Sequence, residues 1–153
     1  MAKVDLLHGR TLHHLFYNLD AAVGTNAPNR KDDVMLVQYL LKSTSTLGFP
    51  QIFKWNLLNY AISGVWDKNW QGLLTAYTDA ETGMGNKMVA DGRVDPVVNG
   101  RITGPVHNLQ YTIVVLNLRF SMVRTADYPR LAELADCPAD LRIPLKWQVL
   151  QKR

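Results

Sequence analysis

The stretch from Asn29 to Lys42 constrains the fold most, because it combines a helical apolar pattern with signals for the start of a helix. Four apolar residues recur along one helical face: Val34, Val37, Leu40 and Leu41. Asn29 is the expected N-cap, and Asp32 is its acidic capping-box partner. Asp32 and Asp33 also place negative charge at the positive end of the helix dipole. The sequence therefore predicts an amphipathic helix here.

Two further segments are predicted to form regular secondary structure. The first contains four apolar residues at helical spacing, namely Trp70, Leu73, Leu74 and Tyr77. Asp67 is its natural N-cap and Gly83 its natural end. The second, residues 111–117, is rich in β-branched side chains and reads as a buried strand by propensity. A helix beginning near Asn108 is the alternative.

The two ends of the chain are expected to differ from each other. Near the start, four apolar residues have helical spacing and predict a short helix: Leu12, Leu15, Phe16 and Leu19. The tail predicts a short helix at Pro129–Ala135. A half-buried strand should follow, because Leu145, Trp147 and Val149 alternate with polar residues. Residues 51–62 fit either a short helix or a loop held by its aromatic side chains.

Composition limits the functional classes. Hydrophobic residues make up 47% of the 153-residue chain and charged residues 20%, which fits one folded domain. The net charge of +4 comes from scattered lysines and arginines, so a nucleic-acid partner is not expected. The single cysteine, Cys137, excludes a disulfide framework within the chain and a multi-cysteine zinc site. His13 and His14 are adjacent and would not share a helix face, so neither a metal nor a cofactor is predicted.

No stretch approaches the roughly 18 apolar residues of a membrane span, and no apolar run follows the first lysine. We therefore expect no membrane insertion, no signal peptide and synthesis in the cytoplasm. A role outside the cytoplasm would then require a non-classical export route, an injection apparatus or cell lysis.

Three segments together resemble the peptidoglycan-binding-like domain family, whose members are small three-helix modules. The first is D-V-M-L-V-Q-Y-L-L at Asp33–Leu41, preceded by V-G-T-N-A-P-N. The second is W-Q-G-L-L-T-A-Y at Trp70–Tyr77, and the third is A-D-G-R-V-D-P followed by Y-T-I-V-V-L-N. The family's usual D-G-x-F-G before the second helix is replaced by S-G-V-W-D-K-N, and an aromatic-rich stretch enlarges the first loop.

The resemblance covers roughly residues 22–118 and implies a mainly α fold, a small orthogonal helical bundle with additional N- and C-terminal segments. It makes residues 111–117 a helix. We expect a single domain over residues 1–153, with 1–21 and 119–153 packing as extensions on the core. The family implies a non-catalytic module that binds peptidoglycan. Candidate stacking residues are Trp55, Trp66 and Tyr77, and candidate hydrogen-bonding residues are Asp91, Arg93 and Asp95.

Two other functional classes are weighed against glycan binding. A structural or adaptor protein of a phage tail or contractile injection apparatus would use the fold to hold a protein partner, with the tail strand pairing to a sheet edge. A cell-wall hydrolase would need a pair of acid–base carboxylates, for which the candidates are Asp79, Glu81, Asp91, Asp95 and Glu133. No hydrolase motif accompanies these carboxylates, so an enzyme is not predicted.

Overall fold

The computed structural model describes residues 1–8, 13–44, 59–104, 107–128 and 130–151. Over these ranges the protein is mainly α-helical, as predicted. The helices are α1 (Lys31–Thr44), α2 (Lys68–Gly83), α3 (Thr112–Val123) and α4 (Ala139–Gln151), with a 3-10 turn at Leu131–Glu133. The strands are β1 (Lys3–His8), β2 (His13–Asn18), β3 (Val23–Gly24) and β4 (Arg93–Val94). They form two antiparallel pairs, β1 with β2 and β3 with β4.

Helix α1 lies at the centre of the molecule and contacts each of the other three helices. Every residue from Asp33 to Leu41 is buried, so the helix is enclosed on nearly all sides. The sequence predicted a helix with only one apolar face. That prediction was too narrow, because long side chains on the opposite face, such as Met35 and Tyr39, are buried as well.

The buried polar residues of α1 hold the loops around it. The carboxylate of Asp33 accepts hydrogen bonds from the backbone N–H groups of Asp20 and Ala21, at 2.9 and 3.1 Å. Gln38 accepts from the N–H groups of Ser63 and Gly64, at 3.1 and 3.0 Å. Since a buried polar group needs a partner, these contacts fix the path of both loops.

The start of α1 differs from the prediction. Asn29 does not cap the helix, because its backbone is in the left-handed region at φ +48°, whereas an N-cap residue is extended. Its side chain instead bonds to both backbone groups of Gly24, at 2.8 and 3.0 Å. The Arg30 carbonyl accepts the first helical hydrogen bond, from the N–H of Val34.

The N-terminal segment is a β-hairpin, so the short helix predicted there is wrong. Val4 lies opposite Tyr17 in the hairpin, a pairing that local periodicity cannot reveal. The outer edge of β2 is closed by an asparagine on α3. Asn117 accepts a hydrogen bond from the backbone N–H of Tyr17 and donates one to its carbonyl, both at 2.8 Å. A side-chain amide thus replaces a third strand at this position.

The tail also differs from the prediction, because residues 139–151 form a helix with Pro144 inside it rather than a strand. Buried Leu141, Pro144 and Leu145 follow helical spacing. The guanidinium of Arg142 donates to three backbone carbonyls of the preceding turn, those of Leu134, Ala135 and Cys137. The strand proposed to pair with a partner's sheet edge is therefore absent.

The remaining sequence predictions have mixed outcomes. Helix α2 is confirmed, with the Asp67 side chain accepting from the N–H groups of Asn69 and Trp70. The helix at residues 111–117 is confirmed as part of α3. The short helix at Pro129–Ala135 is reduced to the 3-10 turn. Most of the aromatic-rich stretch 51–62 lies outside the described residues.

Candidate functional site

Arg93 is positioned by the small antiparallel sheet that β3 and β4 form. Gly24 of β3 lies opposite Arg93 of β4, and the N–H of Thr25 donates to the carbonyl of Gly92 at 3.1 Å. Gly24 has φ +126°, and a side chain there would overlap the Gly92 carbonyl. Glycine is required because the two backbones approach so closely.

A pocket of about 280 Å³ lies beside this sheet, open to solvent on one side. Its walls are mostly apolar and come from four parts of the described chain: Val89, Arg93, Asp95, Gly104, Leu109, Tyr111 and Thr112. Small-molecule pockets have volumes of roughly 300–1,000 Å³, so this one suits a single ligand group.

The guanidinium of Arg93 is the main charged group in the pocket. One of its nitrogens, Nη2, donates to Asp95 at 3.1 Å, and the other nitrogens have no partner among the described residues. Nε is buried as well as unpaired. A buried donor without a partner costs about 1–3 kcal/mol of stability. Because Nε has almost no accessible surface, the donor of Arg93 that a ligand can reach is Nη1, which has no partner among the described residues.

Two other features of the pocket are polar. Asp95 accepts from Arg93 through Oδ1, and its Oδ2 makes no hydrogen bond to a described residue. Thr112 is the first residue of α3, and no side chain caps this helix at its N-cap residue Tyr111. The first N–H groups of an uncapped helix favour negative charge nearby. The pocket thus offers unused donors and one unused acceptor against apolar walls.

Four of the six predicted site residues lie in or next to this region. Arg93 and Asp95 line the pocket itself. Asp91 is exposed and its carboxylate accepts from the N–H of Arg93 at 3.0 Å, which fixes the turn before β4. Trp66 is half-buried, and its indole Nε1 donates to Gln71 at 2.8 Å. Gln71 in turn donates to the Gly92 carbonyl at 2.9 Å, which connects Trp66 to the same turn.

Tyr77 is not a stacking residue, contrary to the prediction, because its ring is completely buried in the core. Burial raises the pKa of the Tyr77 hydroxyl well above its ordinary value, and the neighbouring Glu81 carboxylate raises it further. The helical spacing that suggested a binding residue is the spacing of core residues. Trp55 lies outside the described residues.

Glu81 is also unavailable for catalysis. Its carboxylate is fully buried and receives two hydrogen bonds from Arg119, at 2.7 and 2.8 Å. Asn86 donates a third. Asp79 lies on α2 and Glu133 on the 3-10 turn, and both residues are exposed.

Sequence reasoning missed most of the pocket wall. Val89 and Leu109 come from loops without any periodic pattern, so only the folded chain brings them together with Tyr111. Gly104 has no local signal that marks it as a pocket residue. Thr112 lies in the segment 111–117, for which the resemblance implies a helix.

No group of three or more histidine, cysteine or acidic residues that could hold a metal occurs within the described ranges. Among the described helices, none has the length and apolar character needed to cross a bilayer. Comparison of the chain with protein-family models, with curated proteins and with solved structures finds no match.

Proposed function

We propose that this protein is a non-catalytic binding module whose ligand is peptidoglycan, and that the Arg93 pocket receives part of that polymer. The observation that carries the proposal is Arg93 in a mostly apolar pocket, where Nη1 of its guanidinium has no partner among the described residues. Binding sites commonly combine apolar walls with a few convergent polar groups.

The resemblance supplies the choice of polymer, and one structural feature supports it. The segment V-G-T-N-A-P-N and the segment A-D-G-R-V-D-P pair through β3 and β4, so two parts of the resemblance form one unit next to the pocket. We accordingly propose that residues 22–118 fold as the family's orthogonal bundle. Release by lysis or an injection apparatus would bring the protein to the wall.

The test is co-sedimentation of the purified protein with isolated sacculi, with chitin and crystalline cellulose as control polymers. We expect specific pelleting with sacculi. Arg93→Met should abolish it, because methionine keeps the apolar stem and removes every donor of the guanidinium.

Arg101→Met is the matched control, since Arg101 is exposed, makes no side-chain hydrogen bond to a described residue and does not line the pocket. Equal loss of pelleting in both variants would show that net charge matters rather than the pocket. No pelleting of the wild type at high micromolar concentration would overturn the proposal.

An adaptor role in a larger assembly is the second candidate. Its support from the tail strand is gone, but Leu118 and Met122 remain exposed one helical turn apart on α3. Charged substitution of this pair, Leu118→Glu with Met122→Lys, should leave sacculus binding unchanged if peptidoglycan is the ligand. Loss of sacculus binding in this variant would place the binding face on α3 instead.

A further inference from the structure

We propose that the group held in the pocket is the terminal carboxylate of a short peptide with small apolar side chains. The proposal rests on the proposed function, and it selects the peptide part of peptidoglycan over the sugar strand. Peptidoglycan contains short alanine-rich peptides whose free ends bear carboxylates. The pocket is thereby assigned a ligand class that the family resemblance does not specify.

The guanidinium argues for a carboxylate. Arginine presents its donors as a planar fork that matches the two oxygens of a carboxylate. Arg93 uses Nη2 for Asp95, Nε is buried, and Nη1 remains an accessible donor without a partner among the described residues. The adjacent first turn of α3, which begins at Thr112, has no side-chain cap and adds partial positive charge.

Asp95 argues against a phosphate. Its carboxylate already offsets much of the charge of Arg93, and it would repel a dianion more strongly than a singly charged carboxylate. Its unused Oδ2 can accept a hydrogen bond from an amide N–H, which a peptide end has and a phosphate lacks. The pair thus fits a ligand with one negative charge and a neighbouring donor.

The walls argue against a sugar ring. Val89 and Leu109 are apolar and cannot bond to a ring of hydroxyl groups, whereas they suit the methyl groups of alanine. Tyr111 is the one aromatic residue among the lining residues, so the pocket has no pair of rings for sugar stacking. Gly104 has no side chain and therefore leaves the space between these lining residues open.

The test measures binding of N-acetyl-alanyl-alanine and its C-terminal amide to the full-length protein, by two-dimensional NMR titration. Peptides of L- and D-alanine are compared in separate arms. We expect the free acid to bind at least about tenfold more tightly than the amide, because charge-assisted hydrogen bonds are the stronger kind. Shifts should centre on Arg93, Gly104 and Thr112.

Two variants locate the site. Arg93→Met should remove the preference for the acid, and Gly104→Leu should weaken both peptides by filling the pocket. A Cβ at Gly104 would meet only ordinary contacts, at 3.7 Å from the Leu109 carbonyl and 3.9 Å from the Tyr111 ring. Gly83→Leu is the matched control, because the space around Gly83 is empty.

The outcomes separate this inference from the proposed function. Equal binding of acid and amide would overturn the inference, because the guanidinium would then make no charge-assisted hydrogen bond to the terminal carboxylate. Binding of peptide-free glycan strands but not of the peptides would also overturn it, while leaving the peptidoglycan proposal intact. Binding of the acid without any binding of sacculi would support a carboxylate as the group held in the pocket. It would overturn the proposal that the polymer is peptidoglycan.

Discussion

Two arginine–carboxylate pairs occupy contrasting surroundings in this molecule. Arg119 makes two hydrogen bonds to Glu81, whose side chain is 0% exposed, and Asn86 donates to the same carboxylate. Arg93 makes one hydrogen bond to Asp95, and these side chains are 37% and 40% exposed. The first pair is enclosed and satisfied, whereas the second faces a pocket with donors unused.

This difference in hydrogen bonding distinguishes an arginine that stabilises the fold from an arginine that is available to bind a ligand. A buried carboxylate with all its partners joins α2 to α3 and has no capacity left for a ligand. A half-exposed pair contributes little to stability, because solvent screens it. The unused hydrogen-bonding capacity of Arg93 therefore points to binding, and the full use of Arg119 points to folding.

Removing Arg119 should have the largest effect on stability. Arg119→Met leaves the Glu81 carboxylate buried without a counter-charge, which costs about 3–5 kcal/mol in comparable cases. Urea unfolding followed by circular dichroism measures the change. The double variant Glu81→Leu with Arg119→Met should recover most of the loss, because no buried charge remains. A single variant as stable as the wild type would remove the structural role of the pair.

The asparagine that closes the hairpin edge comes next. Asn117→Ala removes its two hydrogen bonds with the backbone N–H and carbonyl of Tyr17 and the one from the Tyr128 hydroxyl. Losing one partner of a buried hydrogen bond costs about 1–3 kcal/mol. The control is Asn69→Ala on exposed α2 surface, which should change stability by less than about 0.5 kcal/mol. Equal unfolding midpoints for the two variants would contradict this role.

Arg93→Met should change stability by less than about 1 kcal/mol, since a half-exposed ion pair is lost and an unpaired buried donor is removed with it. The same substitution thus has different effects at the two arginines: Arg119→Met should lower the stability, and Arg93→Met should abolish sacculus binding. A loss at Arg93 as large as that at Arg119 would mean that the pocket arginine is structural.

The smallest effect concerns pH. Burial raises the pKa of Asp136, but hydrogen bonds from Arg124 and Tyr39 outweigh it and hold the pKa below its ordinary value of 3.8. The stabilisation is present above pH 3.8 and is lost as pH falls through the folded-state value. Asp136→Asn should therefore lower the melting temperature slightly at pH 7, with the difference shrinking as the pH falls below 3.8 and through the folded-state pKa. A difference independent of pH would exclude the ion pair as its cause.

The sequence predicted the helices that begin with clear local signals. Asp67 caps α2 as expected, because an N-cap acts on residues only two and three positions ahead. The segment containing β2 was predicted as a helix, since Leu15, Phe16 and Leu19 also satisfy helical spacing. Its real determinants are cross-strand pairing and Asn117, which lies 100 residues from Tyr17.

The tail and the site show the same limit. Residues 145–149 alternate like a strand, but burial of Leu141, Pro144 and Leu145 at helical spacing decides the outcome. Arg93 and Asp95 were predicted as site residues from a motif, whereas the pocket wall required the folded chain. The prediction that Tyr77 stacks on a ligand was wrong, because buried core residues and ligand-binding residues can have the same helical spacing.

The most direct measurement is the fraction of protein that pellets with sacculi for the wild type, Arg93→Met and Arg101→Met. All three are measured without urea, at a pH at which each protein is folded. The wild type and Arg101→Met should pellet alike, and Arg93→Met should remain in the supernatant. Equal pelleting of all three proteins, or of none, would contradict the assignment of the Arg93 pocket as the binding site.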